Sequence, residues 1–165
     1  MLHGQKVIFV SIVDNQSKTV SNLRYRIWHH EVLVKDILNR KNAIIGRKTY
    51  EMTRWKGPKT WILTRNKNLK KPGVGIIHDI DDLHLHTEGD IFVLGGSSLF
   101  KIFEEYVDEI HMYVLNNKEG KEDWISLKMS NWLPRNYTNE YIWSYAHLQR
   151  REEIDPIELI KNLFE

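Results

Sequence analysis

Three short stretches, GRKT (residues 46–49), LTR (residues 63–65) and GGSS (residues 95–98), each follow an apolar run, and each is suited to hold an anion. Gly46 opens a stretch where Arg47, Lys48 and the Thr49 hydroxyl stand beside backbone amides at the expected start of a helix. The helix dipole adds positive potential there. Leu63, Thr64 and Arg65 end an apolar run with a hydroxyl and a guanidinium. Gly95 and Gly96 remove two side chains in a row just before an expected helix at Ser97. A tight turn needs one glycine at most, so the pair makes room for something against the backbone. A phosphate-bearing ligand would satisfy all three stretches.

Other polar groupings are less specific. TRNKNLKK (residues 64–71) reads as a solvated loop or a local anion site. HDIDDLHLH (residues 78–86) combines His78, His84 and His86 with Asp79, Asp81 and Asp82, but its spacing does not fix ligands on one helical face, so no metal is expected. Lys and Arg number 24 against 22 Asp and Glu, for a net charge of +2. That balance argues against a nucleic-acid binder, which would carry a basic stripe. Absence of cysteine excludes disulfides, thiolate zinc sites and a cysteine nucleophile. The apolar run in MLHGQKVIFVSIV is too short for a secretion signal, and no stretch reaches membrane-spanning length. A cytoplasmic protein is expected, with no nucleic-acid or membrane partner.

The elements that must position these motifs alternate. KVIFVSIV (residues 6–13) predicts a buried strand, and DNQSKT a turn. Ile27, Glu31, Val34 and Leu38 recur at helical spacing and predict a helix over residues 25–38. NAIIG, KTWILTRN, GVGIIHD, DIFVLGG and DEIHMYVL predict further strands. RKTYEMTR, DIDDLHLH and SSLFKIFEEY predict helices between them. This order predicts βαβ units and an α/β, three-layer fold, with a mostly parallel central sheet flanked by helices. NNKEGKED (residues 116–123) reads as a polar loop. NYTNEYIWSYAHLQRR (residues 136–151) alternates aromatic and polar residues, as antiparallel edge strands do. Asp155 as N-cap and Pro156 at the first helical position predict a closing helix over residues 155–165. Its stripe of Ile157, Ile160, Leu163 and Phe164 would pack on its own domain or against a second copy. One domain over residues 1–165 is expected, as a monomer or homodimer.

AIIGRKTYE, TWILTRN and DIFVLGGSSLFKIF, in that order and spacing, resemble the dihydrofolate reductase family from about Val7 to Leu115. SYAHLQRR continues the likeness as the family's final aromatic-and-basic strand. The resemblance implies a sheet of about eight strands, bound NADPH, and hydride transfer to a C=N bond of a pteridine, dihydrofolate foremost. Gly46, Arg47, Lys48 and Thr49 would then hold the pyrophosphate and carboxamide side of the cofactor. Leu63, Thr64 and Arg65 would hold the 2′-phosphate. Leu94, Gly95, Gly96, Ser97, Ser98 and Leu99 would line the pyrophosphate and ribose, with Val10 beside them. Phe9, Val34 and Thr53 would face the small-molecule substrate.

The substrate half departs from the pattern. The family's catalytic carboxylate falls at His30, with Glu31 adjacent. Its mobile-loop Pro-Trp pair is absent, and Tyr25 stands at the tryptophan position. Its folate-clamping arginine falls near Pro58, and the threonine supporting the carboxylate falls at Tyr113. Either Glu31 takes over the acid's work, although residues 30 and 31 point about 100° apart on a helix, or His30 and Tyr113 form a different polar pair. Histidine can deliver a proton near neutral pH. A same-fold reductase of another heterocycle, of the riboflavin-pathway type, and a non-catalytic NADPH-binding relative are the rival readings.

Overall fold

The computed structural model describes residues 1–19, 41–53, 58–116, 118, 120, 122–125, 131–139, 143–151, 157, 160, 161 and 163. The expected helix over residues 25–38 lies outside them, as do Asp155 and Pro156.

The strands are β1 (Val7–Val13), β2 (Lys18–Thr19), β3 (Asn42–Gly46), β4 (Thr60–Leu63), β5 (Gly75–Ile77), β6 (Ile91–Val93), β7 (Val107–Leu115), β8 (Glu122–Asp123), β9 (Trp132–Asn139) and β10 (Trp143–Arg150). The helices are α1 (Arg47–Thr53), α2 (Leu83–His86) and α3 (Ser97–Phe103), with a 3-10 turn at Ile80–Asp82. They form one sheet in the order β5-β4-β3-β6-β1-β7-β10-β9, with β2 on β1 and β8 on β2. From β5 to β7 every junction is parallel. The last two, β7–β10 and β10–β9, are antiparallel. The expected mostly parallel sheet is therefore present, with a mixed edge.

Strand β1 is central and buried along its whole length, because parallel strands covered on both faces need apolar residues at every position. Alternation sends its side chains to two cores. Val7, Phe9 and Val13 join the core that contains Leu83 of α2 and Leu99, Phe100 and Phe103 of α3. Ile8 and Val10 join Ala43, Ile45, Ile62, Phe92 and Leu94, with Tyr50 of α1 packed against them. Described helices thus cover both faces of the sheet, in three layers.

Element boundaries shift from those expected. β2 pairs with β1 inside the expected turn DNQSKT, and β8 forms inside the expected loop NNKEGKED. One carboxylate explains why that turn is ordered. Asp14 is buried and accepts backbone N–H bonds from Gln16 and Lys18 through Oδ1 and from Gly120 through Oδ2, each 2.9 Å long. Burial alone would raise its pKa, but these three donors and the Lys18 charge hold it below its ordinary value. The strand expected to start at residue 136 begins at Trp132, with Pro134 exposed on edge strand β9, a place where a missing N–H is tolerated. Ile157, Ile160 and Leu163 are helical but more than half exposed, so this stripe does not pack into the described core.

Candidate functional site

The three anion-suited stretches sit at the carboxyl ends of three neighbouring strands, β4, β3 and β6. Gly46 ends β3 and Leu63 ends β4 directly beside it. β6 lies on the other side of β3, pairing Ile44 with Val93, and continues into Leu94, Gly95 and Gly96. Open α/β sheets bind ligands at such ends, where the strand order reverses. The reversal arises because β6 inserts between β3 and β1.

The glycines serve each other as well as the open space above them. The Gly46 N–H donates to the Gly95 carbonyl at 2.8 Å. A Cβ on Gly96 would stand 3.1 Å from Thr49 Oγ1, tighter than most such contacts. Gly95 has φ +102, and a Cβ there would meet the Phe100 ring at 3.1 Å. The Gly95–Gly96 peptide is cis. Gly96 is the N-cap of α3 and supplies no side chain to its first turn, while its carbonyl accepts from Leu99 and Phe100 N–H at 3.0 and 3.1 Å. The GRKT and GGSS turns therefore meet through their glycines at adjacent strand ends, a close approach that a side chain on Gly96 would obstruct.

The side chains divide. Arg47 pairs with Glu51 one turn along α1 at 3.4 Å, and Lys71 reaches the same carboxylate at 3.5 Å. Lys48, Arg65 and Ser98 are exposed. Thr64 is half-buried and builds its own turn. Its N–H donates to the Ile77 carbonyl at 3.0 Å, and its Oγ1 accepts from Asn66 N–H at 3.1 Å. Val10, Leu94 and Ser97 are buried. Leu99 turns its side chain into the core with Phe100, so only its backbone takes part in the turn.

Two residues expected on the substrate side, Phe9 and Tyr113, are buried. Phe9 and Val10 face opposite sides of the sheet, and Phe9 is fully buried with its ring 4.8 Å from that of Phe100. Phe9 thus packs in the core on the α3 side of the sheet, opposite the face taken by Val10. Tyr113 is buried beside Ile12 and Leu115, its ring 5.0 Å from that of Tyr145. Burial, then the neighbouring Tyr145, pushes its hydroxyl well above the ordinary tyrosine range. It therefore keeps its proton at neutral pH and is a poor acid. His30, Glu31 and Val34 lie outside the described residues. Thr53 ends α1.

The HDIDDLHLH side chains are occupied separately. Asp79 caps the 3-10 turn, and His3 lies 2.8 Å from Asp81 with its ring stacked on His84. The His86 ring packs 5.4 Å from Trp61. A cleft of about 370 Å³ lined by Asn42, Pro58, Lys59, Trp61 and His86 lies at the amino ends of β3 and β4, away from the glycine turns. Asp14 is the organising residue that the sequence reading missed; its setting in a turn hid a carboxylate bonded to a segment more than a hundred residues away.

The family model described as dihydrofolate reductase matches residues 21–142. This chain belongs to the dihydrofolate reductase family. Dihydrofolate reductases from Staphylococcus aureus strains Mu50 and MSSA476 are each 30% identical over 87 residues, covering 52% of this chain and 54% of theirs. The chain thus matches about half the length of these curated relatives. A solved dihydrofolate reductase from Enterococcus faecalis, complexed with NADP(H) and RAB-propyl, superposes with a TM-score of 0.76 at 20% identity, over 88% of this chain and 96% of that one. That likeness shows the dihydrofolate reductase fold. Among the described residues, no helix is long and apolar enough to cross a membrane.

Proposed function

We propose that this chain, as one domain, is an NADPH-dependent reductase that transfers hydride to the C=N bond of a pteridine, dihydrofolate being the substrate. The observation that carries the reading is the contact between the Gly46 and Gly95 turns at adjacent strand ends. It brings two glycine-bearing turns together at the strand ends, where open α/β sheets bind dinucleotides. The complex of the Enterococcus faecalis relative with NADP(H) supports the same cofactor.

NADPH, when bound, supplies the hydride. Gly95, Gly96 and Thr49 would hold its diphosphate through backbone amides and the Thr49 hydroxyl, with Arg47 and Lys48 assisting, while Gly46, whose own N–H is bonded to the Gly95 carbonyl, shapes the turn. Ser97, Ser98 and Leu99 border the same turn, with Val10 and Leu94 forming the apolar floor. Thr64 and Arg65 meet the 2′-phosphate, a dianion that an exposed guanidinium can pair with in two bonds. Glu31, adjacent to the position of the family's catalytic carboxylate, would deliver the proton to the pteridine.

The test is a titration of the full chain with NADPH by tryptophan fluorescence, beside the loss of NADPH absorbance on adding dihydrofolate. Binding with turnover is expected, and turnover should fall about a hundredfold or more in Glu31→Gln and little in His30→Ala. Absence of NADPH binding would overturn the whole reading. Binding without turnover would mean that the substrate is another heterocycle or that the chain is a non-catalytic NADPH-binding relative.

A further inference from the structure

Strands β7 and β10 bring together a group of side chains that the reductase reading does not use. Glu109 and His111 are two residues apart on β7 and so share one face of the sheet. His147 stands directly opposite His111 across the antiparallel ladder. The two imidazoles stack with centroids 4.4 Å apart, and His147 Nε2 lies 3.4 Å from Glu109 Oε2.

We propose that Glu109, His111 and His147 form a binding site for a divalent transition-metal ion, zinc by donor set. One candidate ligand atom from each residue lies within 4.8 Å of the other two. A tetrahedral ion with bonds of about 2.0–2.1 Å needs its ligands roughly 3.4 Å apart. The His147–Glu109 pair already meets that separation, and a small shift of His111 that keeps its Nδ1 on Tyr145 Oη would close the rest. Two imidazoles and one carboxylate are a borderline donor set that suits zinc, leaving a fourth position for water.

The surroundings support ligation rather than a chance contact. Tyr145 Oη lies 2.6 Å from His111 Nδ1. With that oxygen accepting from Nδ1–H, the lone pair is left on the other ring nitrogen, the orienting arrangement common around metal-bound histidines. Lys6 Nζ sits 3.1 Å from Glu109 Oε1; it neutralises the carboxylate now and would give way to a metal ion. Glu109 and His147 side chains are 16% and 20% exposed, so an ion could enter while both ligands remain anchored on paired strands. The nearest rival, His3 with His84 and Asp81, is an exposed surface grouping, with the His3 and Asp81 side chains 42% and 64% exposed.

The test is calorimetric titration of the metal-stripped full chain with ZnCl₂ at neutral pH, with CoCl₂ as a spectroscopic probe of geometry. One equivalent of Zn²⁺ should bind, and Co²⁺ should give the intense visible bands of a tetrahedral site. Binding should weaken more than about tenfold in His147→Ala and in Glu109→Gln, and stay unchanged in the double variant His3→Ala, His84→Ala. If His147→Ala fails to fold, Glu109→Gln keeps the side-chain volume and reads the same ligand set. Zinc binding that is absent, indifferent to Glu109→Gln, or lost in the His3, His84 double variant would overturn the proposal.

Discussion

The backbone N–H of Gly46 donates to the carbonyl of Gly95 across 2.8 Å, joining the ends of two parallel strands whose residues are almost fifty positions apart in sequence. This bond aligns the GRKT and GGSS turns, so a change in either turn is felt in the other.

Gly95→Ala tests that coupling. Its φ of +102 and the Phe100 ring, 3.1 Å from an added Cβ, make alanine strained and crowded. A loss of about 1–3 kcal/mol is expected, read as a lower urea midpoint with an unchanged slope. Under the proposed reading NADPH affinity should fall as well, because that turn would carry the diphosphate. Stability equal to that of the parent would show that the turn relaxes freely.

Arg65→Ala should discriminate between the two nicotinamide cofactors. The residue is exposed just past the end of β4, where the proposed NADPH reading sets its charge against the 2′-phosphate. Loss of a charge-assisted bond worth about 1.5–3 kcal/mol predicts NADPH binding weaker by roughly ten- to a hundredfold, with NADH binding almost unchanged. Equal weakening of both cofactors would remove Arg65 from that role.

Asp14 predicts an acid sensitivity. Its carboxyl is held below the ordinary value in the folded chain, so its contribution is present above the unfolded value of 3.8 and is lost as pH falls through the lower folded one. Asp14→Asn should lower stability at neutral pH by about 1–3 kcal/mol, since three backbone donors lose a charged acceptor. Its stability should also fall less steeply than that of the parent as pH drops below 4. Parallel curves for the two proteins would assign the acid sensitivity elsewhere.

Phe9→Ala separates core from pocket. Phe9 is fully buried against Phe100, and its truncation should cost about 3–5 kcal/mol through the cavity left behind. The KM for dihydrofolate should stay within about twofold of the parent, a change under roughly half a kcal/mol. A large rise in KM with little loss of stability would place Phe9 in the substrate pocket after all.

Much of this molecule could be read from the chain itself. Apolar runs bounded by glycine and turn residues located the strands, and alternation with helical patterns gave a mostly parallel three-layer sheet, because burial on both faces demands continuous β-branched runs. The residue types in GRKT, LTR and GGSS suggested an anion-holding chemistry, and the fold gathers those three stretches at neighbouring strand ends. Sheet order was not legible, since it depends on pairing between distant segments. Only the insertion of β6 between β3 and β1 makes the three turns neighbours. The face taken by each residue of β1 was equally hidden: when every position is apolar, alternation does not say which side holds Val10 and which holds Phe9. Tyr113, expected at a polar site, is buried because Ile12 and Tyr145 flank it on adjacent strands. The pairing of His111 with His147 is likewise a consequence of register, set by the β7–β10 ladder across more than thirty residues of chain. Local pattern thus fixed which elements form and what chemistry their ends carry. Long-range hydrogen bonding decided which of those ends meet.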